Sequence, residues 1–293
     1  MTEQDQDLES NIFNTSPLRY PGGKTRACKK LDEILKKHFN IDNIDNINNI
    51  NSINTIVSPF FGGGSFEFYL QNTYKLNIIC NDKFKPLYNF WNICKDNIKK
   101  EELCKLLYDV VNNAVNSITK EKFIQFRNDI MKETDELKQA FYYFIINRCS
   151  FSGATLSGGF SLEASKKRFT TSSIDRLKSL DLSKMQIYNK DFSEIICDEY
   201  NKTNYLMFLD PPYYLEKGSK LYGKDGDMHE TFNHKKLFDI LSNVSNKNMK
   251  WLMTYNNCDY IKDLYKNYTI IEVDWSYGMN KTKKSSEIVI INK

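Results

Sequence analysis

The sequence predicts an α/β fold with a seven-stranded, mostly parallel sheet, and three observations predict it. Seven apolar runs recur along the 293 residues, most of them separated by helical patterns. Strands that alternate with helices imply right-handed crossovers and parallel pairing. The last two runs are joined only by the polar "SYGMNKTKKS", too short for a helical crossover, so they are expected to pair antiparallel. Residues 91–184 interrupt the alternation and read as an inserted, largely helical subdomain.

In chain order, "SPLRYPGGKTRACKKLDEIL", residues 16–35, reads as a turn and then a helix with Ala27, Leu31, Ile34 and Leu35 on one face. The Asn/Ile run "NIDNIDNINNINSIN", residues 40–54, lacks the composition of a packed element and reads as an extended surface loop. Strands are expected at 55–60, 76–81, 185–190, 204–209, 249–254, 268–275 and 286–291. Helices are expected at 65–72, 85–97, 192–200, 234–244 and 258–267, the last with Tyr260, Ile261, Leu264 and Tyr265 sharing a face. Within the insertion, "KEELCKLLYDVVNNAV" and "DELKQAFYYFIINRC" read as helices and "SFSGATLSGGFS" as a Gly/Ser-rich stretch. The expected organisation is a flexible 1–15, a core domain in two parts (16–90 and 185–293), and the insertion at 91–184.

Composition narrows the class. At 41% hydrophobic residues the chain can bury a sizeable core. No segment approaches the roughly 20 apolar residues of a membrane span, and the acidic "MTEQDQDLES" is no signal peptide. Seven Cys without C-x-x-C spacing read as reduced, mostly packed thiols of a non-secreted protein, cytoplasmic or in a nuclear, nucleoid or viral-factory DNA compartment. Only three His are present and none clusters with Cys, so no metal site is expected. Net charge is +4, and residues 145–180 alone carry that surplus, with six basic residues against two acids. That stretch is either a solvated basic loop or a phosphate-contacting surface.

Five motifs carry chemistry. In "YLMFLDPPYYLEKG" a buried strand ends in Asp210, and Pro211 and Pro212 forbid its continuation. The Asp210 carboxylate and the Pro211 carbonyl are two acceptors for one amino group, and Tyr213 offers a stacking platform beside them. Together they fit the exocyclic amine of a flat heterocycle. "VSPFFGGGSFEFYL" ends a strand in the glycine turn 62–64 and opens a helix; the glycines either let the backbone and the free helix amides approach a ligand or serve a tight turn for steric reasons alone. It is not a phosphate P-loop, because no G-K-[ST] follows. "NIICNDKF" places Asp82 at the end of the second strand, either to hold a ribose diol or to cap the next helix. In "RYPGGK", Tyr20 and Lys24 line a nucleoside pocket or decorate a turn. In "IYNKDFSEI", Asp191 and Phe192 read equally as helix cap with packed ring or as a cofactor contact.

In this order, "SPLRYPGGK", "PFFGGGSFEF", "NDKF", "KDF" and "FLDPPYY" resemble the Dam-like (D12, alpha group) DNA adenine-N6 methyltransferases. The resemblance covers roughly 16–90 and 185–293 and implies a Rossmann-like methyltransferase fold using S-adenosylmethionine. It implies that Tyr20 and Lys24 contact the cofactor, and that Pro59, Phe60, Gly62, Gly64 and Ser65 pack against its methionine part. Asp82 would hold the ribose, Asp191 and Phe192 would approach the adenine, and Asp210 would face both cofactor and target amine. Tyr213 would stack on an adenine flipped out of the duplex. The partner implied is double-stranded DNA, with no metal and no membrane; a cognate restriction endonuclease, and a monomer or a weak dimer, are compatible with it. The insertion would recognise the target, with Arg148, Lys166, Lys167 and Arg168 facing DNA. It departs from the "N-x-x-G-x-F-N-x-P-x-G" of members that read GATC, so the site read is open between GATC, CATG and other short palindromes. Methylation of another planar amine, or an inactive DNA-binding relative, are the alternatives.

Overall fold

The computed structural model describes residues 14–20, 22–39, 41, 53–113, 117–199, 202, 204–214, 232–245, 249–275 and 285–292. Most of the Asn/Ile run, and nearly all of the 1–15 segment, lie outside these residues. Strands β1 (Thr55–Ser58), β2 (Asn77–Asn81), β3 (Met185–Tyr188), β4 (Tyr205–Leu209), β5 (Lys250–Asn256), β6 (Thr269–Trp275) and β7 (Ser285–Asn292) form one sheet. Its order is β3-β2-β1-β4-β5-β7-β6. β1 to β5 pair in parallel, and β7 slots antiparallel between β5 and β6. The seven apolar runs are therefore the seven strands, and the short connection does form the antiparallel pair.

Both faces of the sheet are covered. Alternate β4 residues show it: Leu206 and Phe208 pack with α1 (Cys28–His38) and α2 (Ser65–Tyr74), while Met207 and Leu209 point the other way. The second face is filled by α9 (Phe192–Glu199), α10 (His234–Ser245) and α11 (Asp259–Leu264). Ala27, Leu31, Ile34 and Leu35 are buried together as their spacing requires. In α11 the expected face differs: Ile261 and Tyr265 are buried, but Tyr260 is 40% exposed and stacks on Tyr214 at 4.5 Å.

Between β2 and β3 the chain is helical, with α3 (Lys85–Lys95), α4 (Asn97–Asn112), α5 (Lys120–Asp129), α6 (Glu136–Cys149), α7 (Leu162–Lys167) and α8 (Thr171–Lys178). Every residue of α6 from Tyr142 to Cys149 is buried: the helix runs through the layer with apolar side chains on all sides, and its two polar residues here, Asn147 and Arg148, find hydrogen-bond partners inside. The layer shares one continuous core with Leu18, Phe61 and the β2 side chains Ile78 and Cys80. The basic stretch is built of helices rather than a loop: Ser161 and Thr170 cap α7 and α8.

Candidate active site

β1 and β4 are neighbours in the middle of the sheet, and the strand order reverses there. In open α/β sheets such a switch point leaves a crevice at the carboxyl ends of the strands. The loops after β1 and β4 meet in it, and a cavity of about 500 Å³ opens between them.

The loop after β1 is shaped by glycine. Gly64 has φ +66°, and a Cβ there would sit 2.4 Å from the Phe61 ring. Gly62 has φ +51°, and a Cβ there would meet the Tyr20 ring at 2.8 Å. Tyr20 thus lies flat on the glycine turn and, with it, forms one cavity wall. Trp91 of α3 donates its Nε1–H to the Gly62 carbonyl at 3.0 Å, so the helical layer holds the turn from behind.

Asp82, one residue past β2, joins this turn. Its Oδ2 accepts the Gly62 amide at 3.0 Å and its Oδ1 the Phe84 amide at 2.9 Å. Burial pushes its carboxyl up to about 6, against the pull of those two amides. It lines the cavity and is not the side-chain cap of α3, which has none.

The far end of the cavity is aromatic. Phe60 and Phe192 lie 5.4 Å apart, and Phe232 packs edge-on against Phe60 at 5.6 Å. Asp191 caps α9: it accepts the Ser193 hydroxyl and amide, while Glu194 accepts the Asp191 amide in return. Lys83 and Lys236 also pair with Asp191, at 3.1 and 3.0 Å. Partial burial works to raise its pKa, but bonds from Ser193, Lys236 and Lys83 outweigh it, and the carboxyl lies well below its ordinary range. The cap reading of "KDF" holds, and Asp191 also lines the cavity with Phe192.

The near end is polar. Lys24 is 3% exposed, forms an ion pair with Asp210 Oδ1 at 2.9 Å, and donates to the Tyr213 hydroxyl at 2.9 Å and to the Gly22 carbonyl at 3.0 Å. Glu287 of β7 lies 3.9 Å from the same ammonium and accepts the Tyr213 hydroxyl at 2.7 Å. Thr254 of β5 donates to Asp210 Oδ1 at 2.6 Å. Both Asp210 bonds fall on Oδ1, and no described residue bonds Oδ2. Pro211 and Pro212 line the cavity beside it, as do Pro59 and Ser65. Tyr213 stands behind this wall, its ring stacked on Tyr255 at 5.9 Å.

Arg148 departs from expectation. It is 8% exposed, and its guanidinium donates to the carbonyls of Arg168 at 2.8 Å and Pro17 at 3.2 Å. Burial, with Arg176, Arg19 and Arg168 nearby, lowers it to about 10. It is a brace and does not face outward, because the last turn of α6 is driven into the core. Lys166 and Lys167 are exposed, Lys167 pairing with Glu163. Arg168 is half-buried beside Arg19.

Sequence reasoning missed Glu67, Thr254 and Glu287, as well as Phe232 and Lys236 at the aromatic end. Asn147, fully buried, bonds both the amide and carbonyl of Arg19 and so fixes the segment leading to Tyr20. The spacing Ser58-x8-Glu67 carries no signal before the fold is known.

A mostly parallel sheet with β7 inserted antiparallel, a glycine turn after β1 and an Asp-Pro-Pro loop after β4 define a methyltransferase-type α/β fold. Residues 20–279 match the family of D12 class N6 adenine-specific DNA methyltransferases, and the chain belongs to it. It is an adenine-specific DNA methyltransferase, and membership implies S-adenosylmethionine as methyl donor. The chain is similar to the type II methyltransferase M.MjaIII of Methanocaldococcus jannaschii, 24% identical over 271 residues that cover 87% of this chain and 89% of that one. It is also similar to the type II methyltransferase M.CviBI of Paramecium bursaria Chlorella virus NC1A, 21% identical over 267 residues covering 89% and 90%. Among the described residues no helix is long and apolar enough to cross a membrane.

Proposed function

We propose that the cavity binds S-adenosylmethionine and that the Asp210 loop holds N6 of an adenine extruded from a short duplex site. The observation that carries this reading is Asp210 at the switch point, its Oδ2 unbonded by any described residue, in a loop whose Asp210 and Pro211 both line the cavity. The donor set fits the cofactor by chemistry: aromatic rings at one end, the Asp82 carboxylate between, and charged groups at the other. When bound, the cofactor supplies an electrophilic methyl on a sulfonium.

Asp210 and Pro211 then act as acceptors for the two N6 protons. They draw the nitrogen lone pair out of conjugation and aim it. As N6 gains positive charge, Asp210 stabilises it and takes up the proton that N6 sheds. Lys24 and Thr254 fix the carboxylate through Oδ1, which leaves Oδ2 for the amine. Asp82 is placed to accept the ribose hydroxyls, and Phe60, Phe192 and Phe232 to flank an adenine ring. N6 is paired inside a duplex, so the base must leave the stack first.

The DNA face is read as the side bearing Arg19, Lys166, Lys167 and Arg168. Phe151 supports it: the ring is 68% exposed in a turn where Ser152 and Gly153 have positive φ. An exposed aromatic beside cations suits insertion at the gap that extrusion leaves. The helical layer at 91–184 serves as the target-recognition part, and a cognate endonuclease recognising the same site is the expected partner. Expression in a methylation-free host, followed by sequencing that detects N6-methyladenine in context, tests the reading and yields the site. Methylation scattered over all adenines, or none, would overturn it.

A further inference from the structure

The polar end of the cavity holds an acid that the reaction leaves unused. Glu67 lies in the first turn of α2, straight after the glycine turn, and is 2% exposed. It nevertheless lines the cavity. Ser58 Oγ donates to its Oε1 at 2.5 Å, and its own amide is the other donor. Four titratable groups face it: Lys24 from the 3-10 turn before α1, Asp210 from the β4 loop, Cys28 from α1 and Cys80 from β2. Lys24 is already engaged by Asp210 at 2.9 Å and Glu287 at 3.9 Å. Among the described residues Glu67 has no ion pair of its own and feels Lys24 only at longer range, and a buried carboxylate is costly unless a cation compensates it. An amino acid carries its ammonium and carboxylate on one carbon, so an acid and a lysine that line the same cavity match that group.

We infer that Glu67 binds the α-ammonium at the methionine end of the cofactor, a role that rests on the reading of this cavity as the S-adenosylmethionine site. The contact is pH-dependent. Burial pushes the Glu67 carboxyl up to about 7, Ser58 and its own amide pull it down, and Asp210 raises it further. Glu67 is therefore largely neutral at pH 6 and charged at pH 8, and the contact strengthens between them.

Calorimetric titration of wild type and Glu67→Gln with S-adenosylmethionine and with S-adenosylhomocysteine, from pH 6 to 8.5, tests this. Glutamine keeps an oxygen for Ser58, so a packing role survives the substitution. The expected result is a roughly ten- to hundredfold drop in affinity for both ligands at pH 8, in line with removal of a charge-assisted bond. The wild-type rise in affinity near pH 7 should vanish, while a lower one near pH 6, due to Asp82, persists. A drop for the sulfonium ligand alone would overturn the ammonium assignment, and unchanged affinity for both would overturn any ligand role. Wild type that binds neither ligand would overturn the cofactor reading and this inference with it. Ser58→Ala is an independent check: without the bond that lowers the Glu67 pKa, the rise should move to higher pH, and an unmoved midpoint counts against the proposal.

Discussion

Tyr213→Phe separates a ring from a hydroxyl, and sequence reasoning expects it to be mild because a stacking platform needs only the ring. The structure argues otherwise. The hydroxyl donates to Glu287 at 2.7 Å and accepts from Lys24 at 2.9 Å, and these partners are 2% and 3% exposed. Each bond involves a buried charge, where a hydrogen bond contributes roughly 1.5–3 kcal/mol. The two effects do not add fully, because Lys24 and Glu287 already stand 3.9 Å apart and can close on each other. A net destabilisation of about 2–3 kcal/mol is expected. Urea unfolding of wild type, Tyr213→Phe, Glu287→Gln and the double variant measures it. In the Glu287→Gln background the phenylalanine substitution should cost at least about 1 kcal/mol less, roughly the coupling of directly bonded groups. Methyl transfer should also fall, since Lys24 orients Asp210. Stability of Tyr213→Phe within about 0.5 kcal/mol of wild type, the range of ordinary surface changes, would refute the network.

Other expectations follow from burial and charge. Arg148→Ala should destabilise the fold by roughly 3 kcal/mol through two orphaned carbonyls and a cavity, while Lys166→Ala with Lys167→Ala should leave unfolding unchanged. The lysine pair should instead flatten the salt dependence of DNA binding, by about 0.9 in log–log slope for each phosphate no longer neutralised; an unchanged slope removes that face from the interface. Phe151→Ala should weaken extrusion, read by a fluorescent adenine analogue at the target position, by an amount near the roughly 1–3 kcal/mol of a stacked base. Glu67 carries a pKa raised from 4.5 to about 7 in the folded chain, so its contribution to stability is full below 4.5 and is lost as pH rises through 7. At about 1.4 kcal/mol per unit that is roughly 3 kcal/mol, so Glu67→Gln should unfold later than wild type at pH 8 and with it at pH 4; equal stability at both would contradict the buried charge.

The strands were legible because each is a short apolar run bounded by turn residues, and parallel strands covered on both faces leave no polar alternation to blur the signal. The closing hairpin was legible from the length of one connection. Asp82 and Asp210 stood out as acids at the ends of apolar runs, although for Asp82 a helix cap was also an open reading. Arg148 was illegible for the opposite reason. A basic residue in a basic stretch reads as surface, and its burial depends on two carbonyls, those of Pro17 and Arg168, that lie far from it in sequence. α7 and α8 were missed because six- and eight-residue helices show too few turns for periodicity, although Ser161 and Thr170 were cap signals in plain view.

Glu287 shows why the remainder of the site could not be read from motifs. It sits in "SSEIVII", where strand alternation alone would assign it a sheet face and nothing more. Antiparallel insertion of β7 puts it opposite Asn256 of β5, and so next to the loop that leaves β4. A parallel β7 would bring its other end to that loop and leave Lys24 without its second acid. The hairpin that closes the sheet therefore also completes the charge environment of the Asp210 loop. A buried Lys24 has no use for two acids if only its own burial is to be compensated. Two acids, with the Tyr213 hydroxyl bridging the ammonium to Glu287, hold the ammonium in place. That leaves Asp210, a residue of the cavity wall, with one oxygen fixed and the other unbonded by any described residue, the condition on which its proposed work at N6 depends.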